Sequence, residues 1–253
     1  MSDGRSAGRD AADGATPVLE LDGLTAGYTG AAVIRDVRLT VDHGEVVALL
    51  GSNGAGKTTT LRAISGLVKS MAGRVLHNGE DLASLSPTAR ARRGIAHVPE
   101  GRGIFYGLTV AEHMQLSYRG ERLDQEVAFT YFPALGELRN RRAGLLSGGE
   151  QQMLAVGRTL ARRPNLLLLD ELSLGLAPVI VERLMPVVRQ YALDSGCAVL
   201  LVEQHVNLAL ECADRGYVLA HGDIVVSERA EVLRHDRGLL VSSYLGEREI
   251  TGV

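Results

Sequence analysis

Short, wholly apolar runs alternate with amphipathic stretches along this chain. Such runs mark strands buried on both faces, and the stretches between them mark the helices that cover those faces. Val46-Val47-Ala48-Leu49-Leu50, Leu166-Leu167-Leu168-Leu169 and Ala198-Val199-Leu200-Leu201-Val202 each predict a buried strand. Ile95-Ala96-His97-Val98 predicts a shorter one, stopped by Pro99. Val179 to Tyr191 keeps helical spacing despite Pro186, so the last two long runs are expected to be joined as a βαβ crossover. The N-terminal third differs. Val18-Leu19-Glu20-Leu21 is a strand candidate, and Arg38-Leu39-Thr40-Val41 alternates as a half-buried strand does. Arg74-Val75-Leu76 runs into Asn78-Gly79, a hairpin turn pair. A late hairpin is expected over Tyr217–Ala220, the His221-Gly222-Asp223 turn and Ile224–Val226. From about Thr109 to Arg142 the pattern turns helical, with Val110, His113, Met114 and Ser117 spaced for one face and Leu116 beside them. The fold class expected is α/β. A mostly parallel buried sheet would carry an N-terminal antiparallel β portion, with a helical subdomain at about 105–160 inserted in the core. Residues 18–253 would form a single domain.

Composition narrows the classes. The 253 residues are 45% hydrophobic and 23% charged, ordinary values for a globular chain. No apolar run reaches 18 residues, so no membrane-spanning helix is expected and any membrane role would come through a partner. A net charge of −3 argues against a nucleic-acid surface, which is usually strongly basic. The two cysteines, Cys197 and Cys212, are expected to be free buried thiols. Residues 1–17 are rich in Gly, Ala, Asp and Ser and are expected to form a disordered leader. They hold no apolar stretch of the secretory-signal kind. The basic clusters Arg90-Ala91-Arg92-Arg93 and Arg141-Arg142 read as solvated faces.

The chemistry begins where the first buried strand ends. Gly51-Ser52-Asn53-Gly54-Ala55-Gly56-Lys57-Thr58 fits the phosphate-loop pattern G-x-x-x-x-G-K-[ST] without a mismatch, and Thr59 continues into a predicted helix. Glycines let backbone N–H groups converge on phosphate oxygens, and the helix N-terminus adds partial positive charge. Lys57 would reach the β- and γ-phosphates, and the Thr58 hydroxyl would ligate Mg²⁺. A glycine-rich turn that happens to contain Lys-Thr is the plainer alternative, disfavoured by the strand and helix on either side.

Asp170-Glu171 closes the run 166–169, at the end of a parallel strand where α/β ligands bind. Asp170 is the expected Mg²⁺ partner, direct or through water, and Glu171 the candidate to polarise an attacking water. Alone, the pair could equally cap a strand. Ser147-Gly148-Gly149-Glu150-Gln151 opens another helix, with Ser147 as a candidate N-cap and the glycine N–H groups as a second anion site.

Ser-Gly-Gly-Glu-Gln, placed between a phosphate loop and Leu-Leu-Leu-Leu-Asp-Glu, resembles the signature of ABC-type ATPases. The resemblance runs from about residue 18 to 247. It implies ATP and Mg²⁺ as cofactors and a phosphate-loop ATPase core. In that family, two ATPase domains face each other head to tail. The Ser147, Gly148 and Gly149 positions of one would then close on the nucleotide held by Lys57 of the other. Tyr28 matches the aromatic that stacks on adenine, and His205 matches the switch histidine, although a lone Tyr or His is more often ordinary packing. Glu100 stands where the family usually has the Gln of its coupling loop, near Mg²⁺.

Val98-Pro99-Glu100-Gly101-Arg102-Gly103-Ile104-Phe105, Leu172-Ser173-Leu174-Gly175-Leu176-Ala177-Pro178 and Glu203-Gln204-His205-Val206 are more selective. They resemble the ATPase subunit of branched-chain amino-acid uptake transporters. Glu100 for Gln and Ala177 for the interface Asp are typical of that subgroup, whereas Leu172 replaces its usual Pro. The resemblance implies a peripheral subunit on the cytoplasmic face of the membrane. Its partners would be a second, related ATPase chain, transmembrane permease subunits and, indirectly, an extracytoplasmic substrate-binding protein. Uptake of urea or short amides is the near rival. An ABC-type ATPase of DNA repair or ribosomes, or a regulatory module that barely hydrolyses, is the distant one.

Overall fold

The computed structural model describes residues 16–117, 121 and 123–236. The expected leader at 1–17 lies almost wholly outside the described residues. In chain order the elements are β1 (Leu19–Tyr28), β2 (Ala31–Val41), β3 (Val46–Leu50), α1 (Lys57–Ile64), β4 (Ser70–His77), β5 (Glu80–Asp81), α2 (Pro87–Arg92) and β6 (Ile95–Val98). Next come α3 (Val110–His113), α4 (Gln125–Tyr131), α5 (Pro133–Glu137), a 3₁₀ turn at Ala143–Leu145 and α6 (Gly148–Leu160). The chain then runs through β7 (Leu166–Asp170), α7 (Pro178–Ser195), β8 (Ala198–Glu203), α8 (Val206–Cys212), β9 (Arg215–Ala220), β10 (Asp223–Arg229) and α9 (Ala230–His235).

Two sheets result. One is four-stranded and antiparallel, ordered β2-β1-β4-β5. The other has six strands, ordered β10-β9-β3-β8-β7-β6, with only β10 antiparallel to its neighbour. This is the mixed α/β fold expected. The strong apolar runs are the central strands, and both faces of each are covered. Alternation divides them between two cores. Val46, Ala48, Leu50, Leu167, Leu169, Val199 and Leu201 pack with α6, α7 and α8. Val47, Leu49, Leu166, Leu168, Leu200 and Val202 pack with α1 and the antiparallel sheet. A continuous apolar run is what a strand needs when neither face meets water.

Two local readings need correction. The helix expected to carry Val110 through Ser117 stops at His113. A Thr109–Glu112 capping box starts it, but the next amides shorten their bonds, Gln115 to Glu112 and Leu116 to His113. Ser117 therefore shares no helix with Val110. Arg90 is not on a solvated face. It is buried, and its guanidinium donates to the carbonyls of Ala63, Ile64, Leu82 and Leu85. Two of those carbonyls close α1, whose C-terminal end carries partial negative charge. Leu172, the residue in place of Pro, is fully buried in the core shared with α6 and α7.

Candidate functional site

Four loops meet at one edge of the larger sheet because β3, β6, β7 and β8 run parallel and end there. The first is the 51–56 turn into α1. Gly56 sits at φ 113°, in the left-handed region, and a Cβ on it would lie 2.4 Å from Ile34 Cγ2. A Cβ on Gly51 would lie 2.3 Å from the Leu219 carbonyl oxygen. Only glycine lets this turn pass so close to β2 and β9. The turn opens an α1 that has no acidic residue in its first turn and no side-chain cap, so its first N–H groups remain open to an anion.

Lys57 lies at the start of α1 and folds back. Its Nζ donates to the carbonyls of Gly51 (2.9 Å) and Ser52 (3.1 Å) and stands 3.8 Å from Glu171 Oε1. Burial holds its pKa below the usual lysine value, and the Glu171, Asp170 and Glu203 carboxylates act against that fall. Thr58 Oγ1 donates to Asp170 Oδ1 at 3.1 Å. Asp170 is nearly fully buried, and its carboxyl is pushed up to about 6, by burial first and then by the charges of Glu171 and Glu100. No group of three or more His, Cys, Asp or Glu side chains forms a metal site among the described residues. A half-buried hydroxyl beside a buried carboxylate nevertheless suits Mg²⁺, which takes few protein oxygens and fills its shell with water and phosphate.

Glu171 follows in a left-handed conformation at φ 50°. Its amide donates to Val202 O on β8, and its Oε2 accepts from Gln204 Nε2 at 2.7 Å. Tyr28 is exposed at the end of β1 and lines a cleft with Asn53, Gly54, Lys57, Thr58, Thr59 and Glu171. Its hydroxyl accepts from Arg62 Nη1 at 3.2 Å. Glu100 is exposed beyond Pro99 and shares a second cleft with Tyr28, Arg62, His97 and Asp170. His205 is exposed at the N-terminus of α8, beyond Glu203. Ala55 is buried under the loop, while Ser52 and Asn53 are exposed.

Ser147, Gly148 and Gly149 are not among these lining residues. Ser147 caps α6, taking the Glu150 amide on its hydroxyl while Glu150 returns a carboxylate to the Ser147 amide. Arg102, from the loop after Glu100, donates to Gln151 and Gln152 and ties that loop to α6. Sequence reasoning missed Gln204, Arg102 and the Ser173–Glu203 pair. Only the adjacency of β7 and β8 could have pointed to the first and last.

A family model described as "ABC transporter" matches residues 34–173. A high-affinity branched-chain amino-acid transport ATP-binding protein, BraG of Pseudomonas aeruginosa, is 42% identical over 85% of this chain and 94% of its own length. A probable branched-chain amino-acid transport ATP-binding protein, LivF of Archaeoglobus fulgidus, is 36% identical over 85% and 93%. The lipopolysaccharide export ATP-binding protein LptB of Escherichia coli is 34% identical over 88% and 95%. Among solved structures, an ATP-binding subunit of an ABC transporter superposes with a TM-score of 0.75 at 29% identity, over 91% of this chain and 99% of its own.

Proposed function

The chain belongs to the ABC transporter family, and from that premise we propose that this ATPase subunit powers the import of branched-chain amino acids. The observation that carries the substrate reading is the 42% identity to BraG across nearly the whole of both chains. No helix among the described residues is long and apolar enough to cross a membrane. The passage for the amino acid would therefore lie in separate permease subunits, with this chain bound at their cytoplasmic face beside a second, related ATPase. A substrate-binding protein would deliver the amino acid from the other side, and no nucleic acid takes part.

The residues take these roles in the proposal. Lys57 exchanges its carbonyl partners for phosphate oxygens, joined by the amides of the 51–56 turn and of Thr58 and Thr59. Tyr28 stacks on adenine. Thr58 and Asp170 would hold Mg²⁺, with Glu100 near it, and the ion would supply charge neutralisation at the phosphates. Glu171 accepts a proton from the attacking water while oxygen bonds to the γ-phosphorus and the bond to ADP breaks. His205 hydrogen-bonds the γ-phosphate. Ser147, Gly148 and Gly149 close on the nucleotide held by the facing subunit, which accounts for two anion sites in one chain.

Reconstitution with its membrane subunits in vesicles tests the reading. ATP-driven uptake of labelled leucine, isoleucine or valine, lost on Lys57→Ala, is expected. Uptake of urea or a short amide alone would transfer the assignment to that substrate, and lipopolysaccharide release without uptake would make the complex an exporter.

A further inference from the structure

We infer that Arg102 supplies a positive charge to the second anion site, where its guanidinium would meet the γ-phosphate of the ATP held by the facing subunit. The inference rests on the reading of Ser147, Gly148 and Gly149 as that site. Two of the three guanidinium nitrogens are anchored. Nε donates to Gln152 Oε1 at 3.0 Å, and Nη1 donates to Gln151 Oε1 at 2.7 Å. Both glutamines are buried. Gln151 gives its own amide hydrogens to the Ala143 and Leu146 carbonyls, which fixes its oxygen toward Arg102. The third nitrogen, Nη2, makes no hydrogen bond among the described residues. It lies beside Gly148 in the first turn of α6, where a Cβ would stand 3.6 Å from it.

This placement runs against the local electrostatics. A helix N-terminus carries partial positive charge and disfavours a cation beside it. Glu150, the acidic residue of the first turn, is committed to the Ser147 amide. The two partners of Arg102 are neutral amide oxygens, so its permanent charge is not cancelled by them. The backbone is strained as well: Arg102 sits at φ 61°, in the left-handed region that side chains other than glycine rarely enter. Arg158 helps to hold the loop there, donating to Gly103 O at 3.0 Å. An arriving anion turns the repulsion into attraction. It would meet the Ser147 hydroxyl, the amides of the glycine turn and a guanidinium N–H together, a donor set suited to a phosphate oxygen. Glu100 stands two residues earlier, so one loop would address the chain's own nucleotide with a carboxylate and the facing one with a cation.

The test compares wild type, Arg102→Lys, Arg102→Met, Arg102→Glu and Ser147→Arg in the reconstituted transporter, reading kcat for ATP hydrolysis. Melting of each isolated chain controls for folding. Lysine keeps the charge but cannot grip both glutamines, methionine keeps only the stem, and glutamate reverses the charge. A charge contribution therefore ranks Arg, Lys, Met, Glu, whereas a mere brace for α6 makes Lys as poor as Met. Arg102→Lys is expected to stay within about threefold of wild type, Arg102→Met to lose about tenfold or more, the weight of a charge-assisted hydrogen bond, and Arg102→Glu at least about a hundredfold. If Ser147→Arg is inactive while Arg102→Met stays within about twofold of wild type, or Arg102→Lys falls as far as Arg102→Met, the charge contribution of Arg102 is overturned and the second anion site stands. Wild-type turnover in Ser147→Arg overturns the reading of that site and this inference with it.

Discussion

The Thr58 hydroxyl donates to the Asp170 carboxylate at 3.1 Å, although 112 residues separate them. The contact joins the first turn of α1 to the end of β7 and sets a hydroxyl and a carboxylate oxygen side by side. Asp170→Asn keeps an acceptor for Thr58 but removes the charge that a cation needs. The expected outcome is retained ATP binding without metal, and an Mg²⁺-dependent hydrolysis rate reduced at least about a hundredfold. Calorimetric ATP titrations with and without Mg²⁺ would check it; equal Mg²⁺ dependence in variant and wild type would dissociate Asp170 from the metal.

Ser147 offers a separate probe, because it caps α6 outside the nucleotide-lining residues. Ser147→Arg places a bulky cation where the facing subunit's γ-phosphate would sit. Nucleotide affinity of the isolated chain should stay within about twofold, with a helix-cap cost of about 1 kcal/mol. ATP-induced dimerisation, followed by light scattering, should be lost.

Arg90 is expected to matter for stability rather than turnover. Its four carbonyl contacts bind the end of α1 to the 82–85 turn. Burial holds its pKa below the usual arginine value, yet the guanidinium stays charged. Arg90→Met would remove the donor to the Ile64 and Leu85 carbonyls, while Ala63 and Leu82 keep the backbone amides of Gly66 and Leu85. A loss of about 3 kcal/mol in urea unfolding is expected. A loss below about 0.5 kcal/mol would mean that water replaces the guanidinium without penalty.

His97 supplies a pH dependence. Burial, aided by the Arg62 charge, lowers its imidazole from 6.5 to about 4. Its Nε2 is buried without a hydrogen-bond partner among the described residues, and its Nδ1 meets Ser65 Oγ at 3.3 Å. The folded state thus binds the proton less readily than the unfolded chain does. This contribution to stability is fully present above pH 6.5 and is lost as pH falls through 4. It amounts to about 3 kcal/mol. His97→Gln should flatten the melting curve against pH over that interval.

Glu100 separates hydrolysis from coupling. It is exposed beside Asp170, in a loop that Arg102 ties to α6. Glu100→Gln should leave ATPase activity within about twofold and lower uptake modestly, whereas Glu100→Ala should lower uptake about tenfold with less effect on hydrolysis. Parallel assays on reconstituted vesicles would show it; equal loss of both activities would reduce Glu100 to part of the nucleotide site.

What the sequence discloses depends on range. The 51–58 turn, the Asn78-Gly79 hairpin and the strands at 46–50, 166–170 and 198–203 are written in contiguous residues, and each lies where its pattern predicts. Arg90 was misread because its partners, Ala63 and Ile64, lie 27 and 26 residues away, and charge patterning carries no record of an unfilled carbonyl. Ser117 fell outside its helix because spacing alone cannot show where i→i−4 bonds give way to i→i−3. Gln204 was passed over for the opposite reason: polar and exposed, it becomes informative only once β8 is known to lie beside β7.

The position of β3 also constrains how the chain can be made. The strand that presents the phosphate-binding turn lies between β8 and β9, pairing with residues 199–203 on one side and 215–218 on the other. A ribosome emits β3 long before either neighbour exists. Until some 150 further residues have been synthesised, at about 5–20 residues per second, this apolar strand has two open edges. It is then a template for pairing with other chains. Nucleotide would not relieve that exposure early, since the proposed site draws on the ends of β7 and β8. Chaperone cover through the middle of synthesis, from about residue 50 until β8 and β9 are made, thus follows from the strand order, and truncation before β8 should yield aggregates rather than a smaller ATP-binding fragment.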